Sequence, residues 1–98
     1  MEKFSEIIGG DTLTLVDFYA TWCGPCMEMA PVVEQLKKDF GSRIRVIKVD
    51  IDRNEPLLLQ YGVTVIPTMF LFRKGKQLWS HSGVVDLSIL KEEINRYL

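Results

Sequence analysis

Cys23 and Cys26 stand three residues apart and are the only cysteines of the 98-residue chain. That spacing is one turn of chain, so the two sulfurs can close a disulfide, and either can attack a mixed disulfide held on the other. Thiol–disulfide exchange is the chemistry such a pair performs. Gly24-Pro25 places the pair on a turn, and a segment with helical apolar spacing starts at Pro25. Cys23 should therefore sit at a helix start, where free backbone N–H groups and the helix dipole stabilise a thiolate. Cys23 is the expected nucleophile and Cys26 the expected resolving thiol.

A structural zinc site is the first competing reading. It needs four Cys or His ligands, and beyond the two cysteines the chain offers only His81. A single histidine has no chelating partner and reads as an exposed strand residue. An inert buried pair is the second competitor, and the Gly24-Pro25 turn argues against it. Asp17 is the other candidate, because a carboxylate inside an apolar run is costly unless paired or protonated. Burial should raise its pKa, whereas at a strand end it would simply face solvent. Met27, Met29 and Met69 read first as gap-filling apolar side chains.

Composition excludes several functions. Hydrophobic residues make up 47% and charged residues 26%, which is ordinary globular usage. A formal charge of -1 with no long basic run gives no support for nucleic-acid binding. The most apolar stretch, Val63 to Phe72, is broken by threonines and Pro67 and is too short to span a bilayer. Residues 1–6 are charged and no apolar signal core follows, so the expected compartment is the cytoplasm. A lone cysteine pair there is catalytic more often than structural.

The elements that must position the pair follow from hydrophobic spacing. Residues 1–8 form a short amphipathic helix ended by Gly9-Gly10, and Leu13 to Ala20 is a near-continuous apolar run suited to a central strand. Pro25 to Phe40 is the longest helix, with Ala30, Val33, Leu36 and Phe40 on one face and a kink expected at Pro31. Ile44 to Val49 is a strand, Glu55 to Tyr61 a short helix closed by Gly62, and Met69–Phe72 with Leu78–His81 a hairpin turning at Gly75. Asp86 is placed to cap a last helix with Leu87, Leu90, Ile94 and Tyr97 on one face and Glu92 facing Arg96. The order α-β-α-β-α-β-β-α, with a right-handed crossover, predicts one α/β domain over residues 1–98.

The segment from Asp17 to Cys26, reading DFYATWCGPC, resembles the strand-to-helix segment of the thioredoxin family. The likeness continues at Pro31, Lys48, Asp50, Tyr61-Gly62-Val63, Ile66-Pro67-Thr68, Lys74-Gly75 and Gly83. It implies the thioredoxin fold, a mixed sheet of four strands, or five, between about four helices. It also implies reduction of disulfides in other proteins, within cell redox homeostasis. Gly24-Pro25 resembles the reductase version of the motif, whereas oxidases and isomerases of that fold usually carry His there. By the same resemblance Asp17 is the base serving Cys26 through water, Lys48 is its charge partner, and Pro67 is a cis-proline beside the dithiol. Trp22, Gly24, Pro25, Val65, Ile66, Pro67, Gly83 and Val84 would then form the substrate surface.

The resemblance implies an NADPH-dependent thioredoxin reductase as electron donor. This chain has no Gly-x-Gly-x-x-Gly loop, and no cofactor or metal is expected on it. A monomer is expected. Two departures from the family pattern stand out. Met27 occupies a position that often carries Lys or Arg, which makes the surface more apolar, and the segment before Leu13 suffices for one short helix, which leaves Ile44–Val49 as an edge strand. The rival reading is a non-catalytic docking subunit that uses the same apolar face.

Overall fold

Alternation along the first strand decides the architecture. In β1 (Leu13–Tyr19), Leu13 and Leu15 turn to one face while Val16 and Phe18 turn to the other, and all four are buried. A strand buried on both sides must lie inside a sheet covered by two layers. The computed structural model describes residues 2–98, so Met1, where the first helical segment was expected to begin, lies outside the described residues. β2 (Ile44–Asp50) runs parallel to β1, β3 (Thr68–Arg73) runs antiparallel along its other side, and β4 (Lys76–Ser82) pairs antiparallel with β3. Among the described residues the sheet has four strands in the order β2-β1-β3-β4, and β2 is an edge, as expected.

The helices divide between the two faces. α2 (Gly24–Phe40) and α4 (Leu87–Tyr97) place Met29, Val33, Leu36, Leu90 and Ile94 against Leu13, Leu15, Met69 and Leu71. α1 (Phe4–Ile8) and α3 (Glu55–Tyr61) cover the opposite face, where Tyr61 meets Phe4 edge-on at 5.6 Å and Phe72 at 5.5 Å. Each fully buried large apolar side chain contributes about 1.5–3 kcal/mol. Leu36→Ala, in the middle of α2, should cost about 2–5 kcal/mol.

Several local expectations are corrected. α2 begins at Gly24, one residue before the expected start, and Pro31 lies inside it, as expected. Its buried stripe is Cys26, Met29, Val33, Leu36 and Phe40, at alternating steps of three and four. Met29 fills the core as expected, Ala30 is only half-buried, and Met27, between stripe positions, is 68% exposed instead of filling a gap. Asp86 stands at the N-cap of α4, but its side chain makes no cap bond; only its carbonyl accepts, from Ile89 and Leu90. Arg96 pairs with Glu93, three residues back, and not with Glu92. In the hairpin turn Lys74 shares the positive φ expected for Gly75 alone, and the N–H groups of both donate to the carbonyls of Gly10 and Ile8.

Register brings three chain segments to one end of the sheet. Phe18 pairs with Thr68, and Thr68 with Ser82, so β1 ends where β3 starts and where β4 ends. The turn to α2, the loop before β3 and the loop after β4 therefore converge.

Candidate active site

β1 leads directly into the cysteine turn. The Cys23 N–H donates to the Ala20 carbonyl at 3.2 Å, which reverses the chain and makes Cys23 the N-cap of α2. The Cys26 N–H points at Cys23 Sγ, 3.2 Å away, so one of the helix's free donors is spent on sulfur. The two cysteines are joined in a disulfide with Cα atoms 5.3 Å apart, and both are buried, while Gly24 and Pro25 between them are exposed. The expected pairing is thus present, at the N-terminal end of the longest helix.

The loop before β3 faces this turn. Its Ile66–Pro67 peptide is cis, as the resemblance implied, and the Ile66 carbonyl lies 4.0 Å from Cys23 Sγ. Pro67 is buried and its carbonyl accepts from Gly83 N–H at 2.7 Å, which ties the third loop to the second. Gly83 has φ of 92°, a conformation that favours glycine. Thr68 Oγ1 donates to the Val65 carbonyl at 2.5 Å and lies 3.1 Å from Ser82 Oγ. Trp22, Val65 and Val84 are exposed, and Ile66 and Gly83 are half-buried. Of the residues expected to form the substrate surface, Pro67 is the one that is buried.

Asp17 shares a face of β1 with Leu13 and Leu15 by alternation, so its carboxyl points to the layer that holds α2. It is 3% exposed, and among the described residues Oδ1 has no hydrogen-bond partner. Loss of hydration pushes its pKa up to about 6, and the positive charge of Lys48 only partly offsets this. Lys48 is Asp17's register partner on β2, yet its exposed ammonium lies 4.6 Å from the centre of the Tyr19 ring.

Two features were not foreseen. Trp22 Nε1 donates to Asp52 Oδ2 at 2.8 Å, and the Asp52 N–H donates to Asp50 Oδ1, so a carboxylate thirty residues away holds the indole. No local pattern signals a contact at that separation. A cavity of about 220 Å³ also opens beside Cys26, lined by Tyr19, Ala20, Thr21, Met27, Ala30 and Lys48. His81 stacks on Trp79 along β4 and lies 3.4 Å from the Val84 carbonyl, and no cluster able to hold a metal ion occurs among the described residues.

A buried cysteine pair at a helix N-terminus, with a cis-proline loop opposite and a protonatable carboxyl behind, can be compared with known proteins. The family model described as Thioredoxin matches residues 1–96. The chain belongs to the thioredoxin family. Thioredoxin of Porphyra purpurea is 38% identical over 93 residues, covering 95% of this chain and 87% of the relative. Thioredoxin of Plasmodium falciparum superposes with a TM-score of 0.85 at 34% identity, covering 97% of this chain and 91% of that one. Oxidised mitochondrial thioredoxin 3 of Saccharomyces cerevisiae gives 0.84 at 30% identity, with 95% and 86% covered. Family membership together with the Cys23–Cys26 disulfide makes this chain a thiol–disulfide oxidoreductase of the protein-disulfide reductase class. No helix among the described residues is long and apolar enough to cross a membrane.

Proposed function

We propose that this thioredoxin-family chain carries electrons to disulfides in other proteins, with Cys23 as nucleophile and Cys26 as resolving thiol. The observation that carries the reading is the disulfide at the start of α2, with Cys23 as N-cap and, in the layer below, a buried Asp17 oxygen that has no hydrogen-bond partner among the described residues. In the first step the Cys23 thiolate attacks a substrate disulfide; a Cys23–substrate S–S bond forms, and the second substrate sulfur leaves and takes up a proton. Asp17 then accepts the Cys26 proton through water, with Lys48 as the nearby charge that favours its ionised form. The Cys26 thiolate attacks Cys23 Sγ and expels the other substrate thiolate, which takes up the proton held on Asp17 by way of water. The substrate has gained two electrons and two protons, and the carrier is left as the disulfide.

Exposed Trp22, Val65 and Val84, with Gly24, Pro25, Ile66, Pro67 and Gly83 between them, supply the face on which a substrate segment rests. The Ile66 backbone is available to pair with an extended segment in the manner of an added strand. Re-reduction falls to an NADPH-dependent thioredoxin reductase that meets the same face. In this reading residues 1–98 act as one unit and as a monomer, in a reducing compartment such as the cytoplasm where the dithiol form persists.

Single cysteine variants test the scheme. Cys23→Ser should abolish reduction of a protein disulfide, and Cys26→Ser should accumulate a mixed disulfide on Cys23. Normal turnover of the Cys26 variant would refute the two-cysteine mechanism. Full biological function of the Cys23 variant would instead favour the docking-subunit reading.

A further inference from the structure

The five sulfur atoms of Cys23, Cys26, Met27, Met29 and Met69 differ sharply in their access to solvent. Cys23 and Cys26 are buried and joined to each other, and Met29 and Met69 are 0% exposed. Met27 alone of the five is open, at 68%, and it forms one wall of the cavity beside Cys26. It adjoins the resolving cysteine in the first turn of α2, five residues after the equally exposed Trp22 of the preceding turn.

We propose that Met27 is an oxidation site at which hydrogen peroxide converts the thioether to a sulfoxide, making the substrate face polar and weakening docking of protein disulfides. The second part rests on the function proposed above. In the reaction one peroxide oxygen is transferred to the Met27 sulfur, the O–O bond breaks and water leaves, so sulfur is oxidised and peroxide reduced. Access decides the selectivity: the fully buried Met29 and Met69 offer peroxide no approach, and the disulfide leaves neither cysteine as a thiolate to compete. The sulfoxide oxygen is a strong acceptor, and covering it with an apolar substrate segment leaves it without the water that satisfies it. Because the disulfide returns to the dithiol by thiol exchange and the sulfoxide does not, the modification outlasts one catalytic cycle.

The test exposes the disulfide form of the whole chain to hydrogen peroxide, removes the excess, and locates added oxygen by fragment mass spectrometry. Reduction of insulin with dithiothreitol as electron source is then followed at several substrate concentrations. Expected is one oxygen on Met27, none on Met29 or Met69, and a KM for insulin raised about fivefold, equivalent to about 1 kcal/mol of docking, at unchanged kcat. Met27→Leu treated in the same way should keep its KM, and untreated Met27→Gln should reproduce the rise. Oxygen on Met29 or Met69 with Met27 unmodified overturns the proposal, as does an unchanged KM after full conversion of Met27. The functional reading fails by a different sign, absence of insulin reduction by the untreated chain, and the oxygen map judges Met27 regardless.

Discussion

Asp17 and Lys48 are register partners across the parallel β1–β2 pair, yet they form no ion pair: the ammonium rests over Tyr19, and Asp17 Oδ1 has no hydrogen-bond partner among the described residues. Lys48 acts on Asp17 through space, from an exposed position where water screens it. Burial therefore outweighs the attraction, and the carboxyl is pushed up to about 6.

Removing that charge should raise the Asp17 pKa further. In Lys48→Gln, the carboxyl carbon of Asp17, followed by NMR against pH, should titrate at higher pH than in the parent chain. A midpoint that stays put or falls would show that Lys48 exerts no field at Asp17.

Stability should respond to pH in the direction set by the same group. Asp17 has a higher pKa folded, about 6, than the ordinary 3.8 it regains unfolded, so the folded state holds the proton more tightly. The contribution is complete below the unfolded value and is lost as pH rises through about 6, a change of about 3 kcal/mol. Asp17→Asn cannot ionise. Its urea unfolding should show up to about 3 kcal/mol more stability than the parent near neutral or alkaline pH, and no such gain under acid conditions. An equal difference at both pH values would dismiss titration as the cause.

Release from the mixed disulfide should slow in the same variant. With Asp17 as proton acceptor, the release rate of the parent chain rises as pH passes about 6, where the carboxylate forms. Asp17→Asn should lose that rise and release product at least about tenfold more slowly near neutral pH. Rapid-mixing kinetics on a preformed Cys23 mixed disulfide reads this step directly, and parallel profiles for the two proteins would remove Asp17 from the mechanism.

The Trp22–Asp52 hydrogen bond should matter for docking more than for chemistry. Asp52→Ala frees an indole that is already 68% exposed, so KM for a protein disulfide should rise about two- to tenfold. Turnover of a small uncharged disulfide, which needs no docking face, should be unaffected. Equal losses on both substrates would place Asp52 in the chemistry or the fold instead.

How much of this was legible along the chain depends on distance in sequence. Strand and helix positions and the Gly62 and Gly75 turns follow from periodicity and glycine chemistry, which act within a few residues, whereas the edge position of β2 came from comparison with the family pattern. Ala30, expected on the core face of α2, is only half-buried, because the buried stripe runs from Cys26 through Met29 to Val33. Glu93 replaced Glu92 as the partner of Arg96 for a similar reason, since spacings of three and four are both allowed on a helix.

The sequence by itself determined the dithiol: a Cys-x-x-Cys pair at a helix start is local geometry, closed by one turn of chain whatever surrounds it. It also determined that Asp17 is a carboxylate inside an apolar strand run. Only the tertiary structure decided what those residues meet. The sheet register set the Ile66–Pro67 loop against Cys23, brought Asp52 to Trp22, turned Lys48 away from Asp17 and left Met27 as the one open sulfur of the five. Such contacts join residues far apart in the chain, and they arise from how two layers of helix settle on one sheet, which no local spacing encodes.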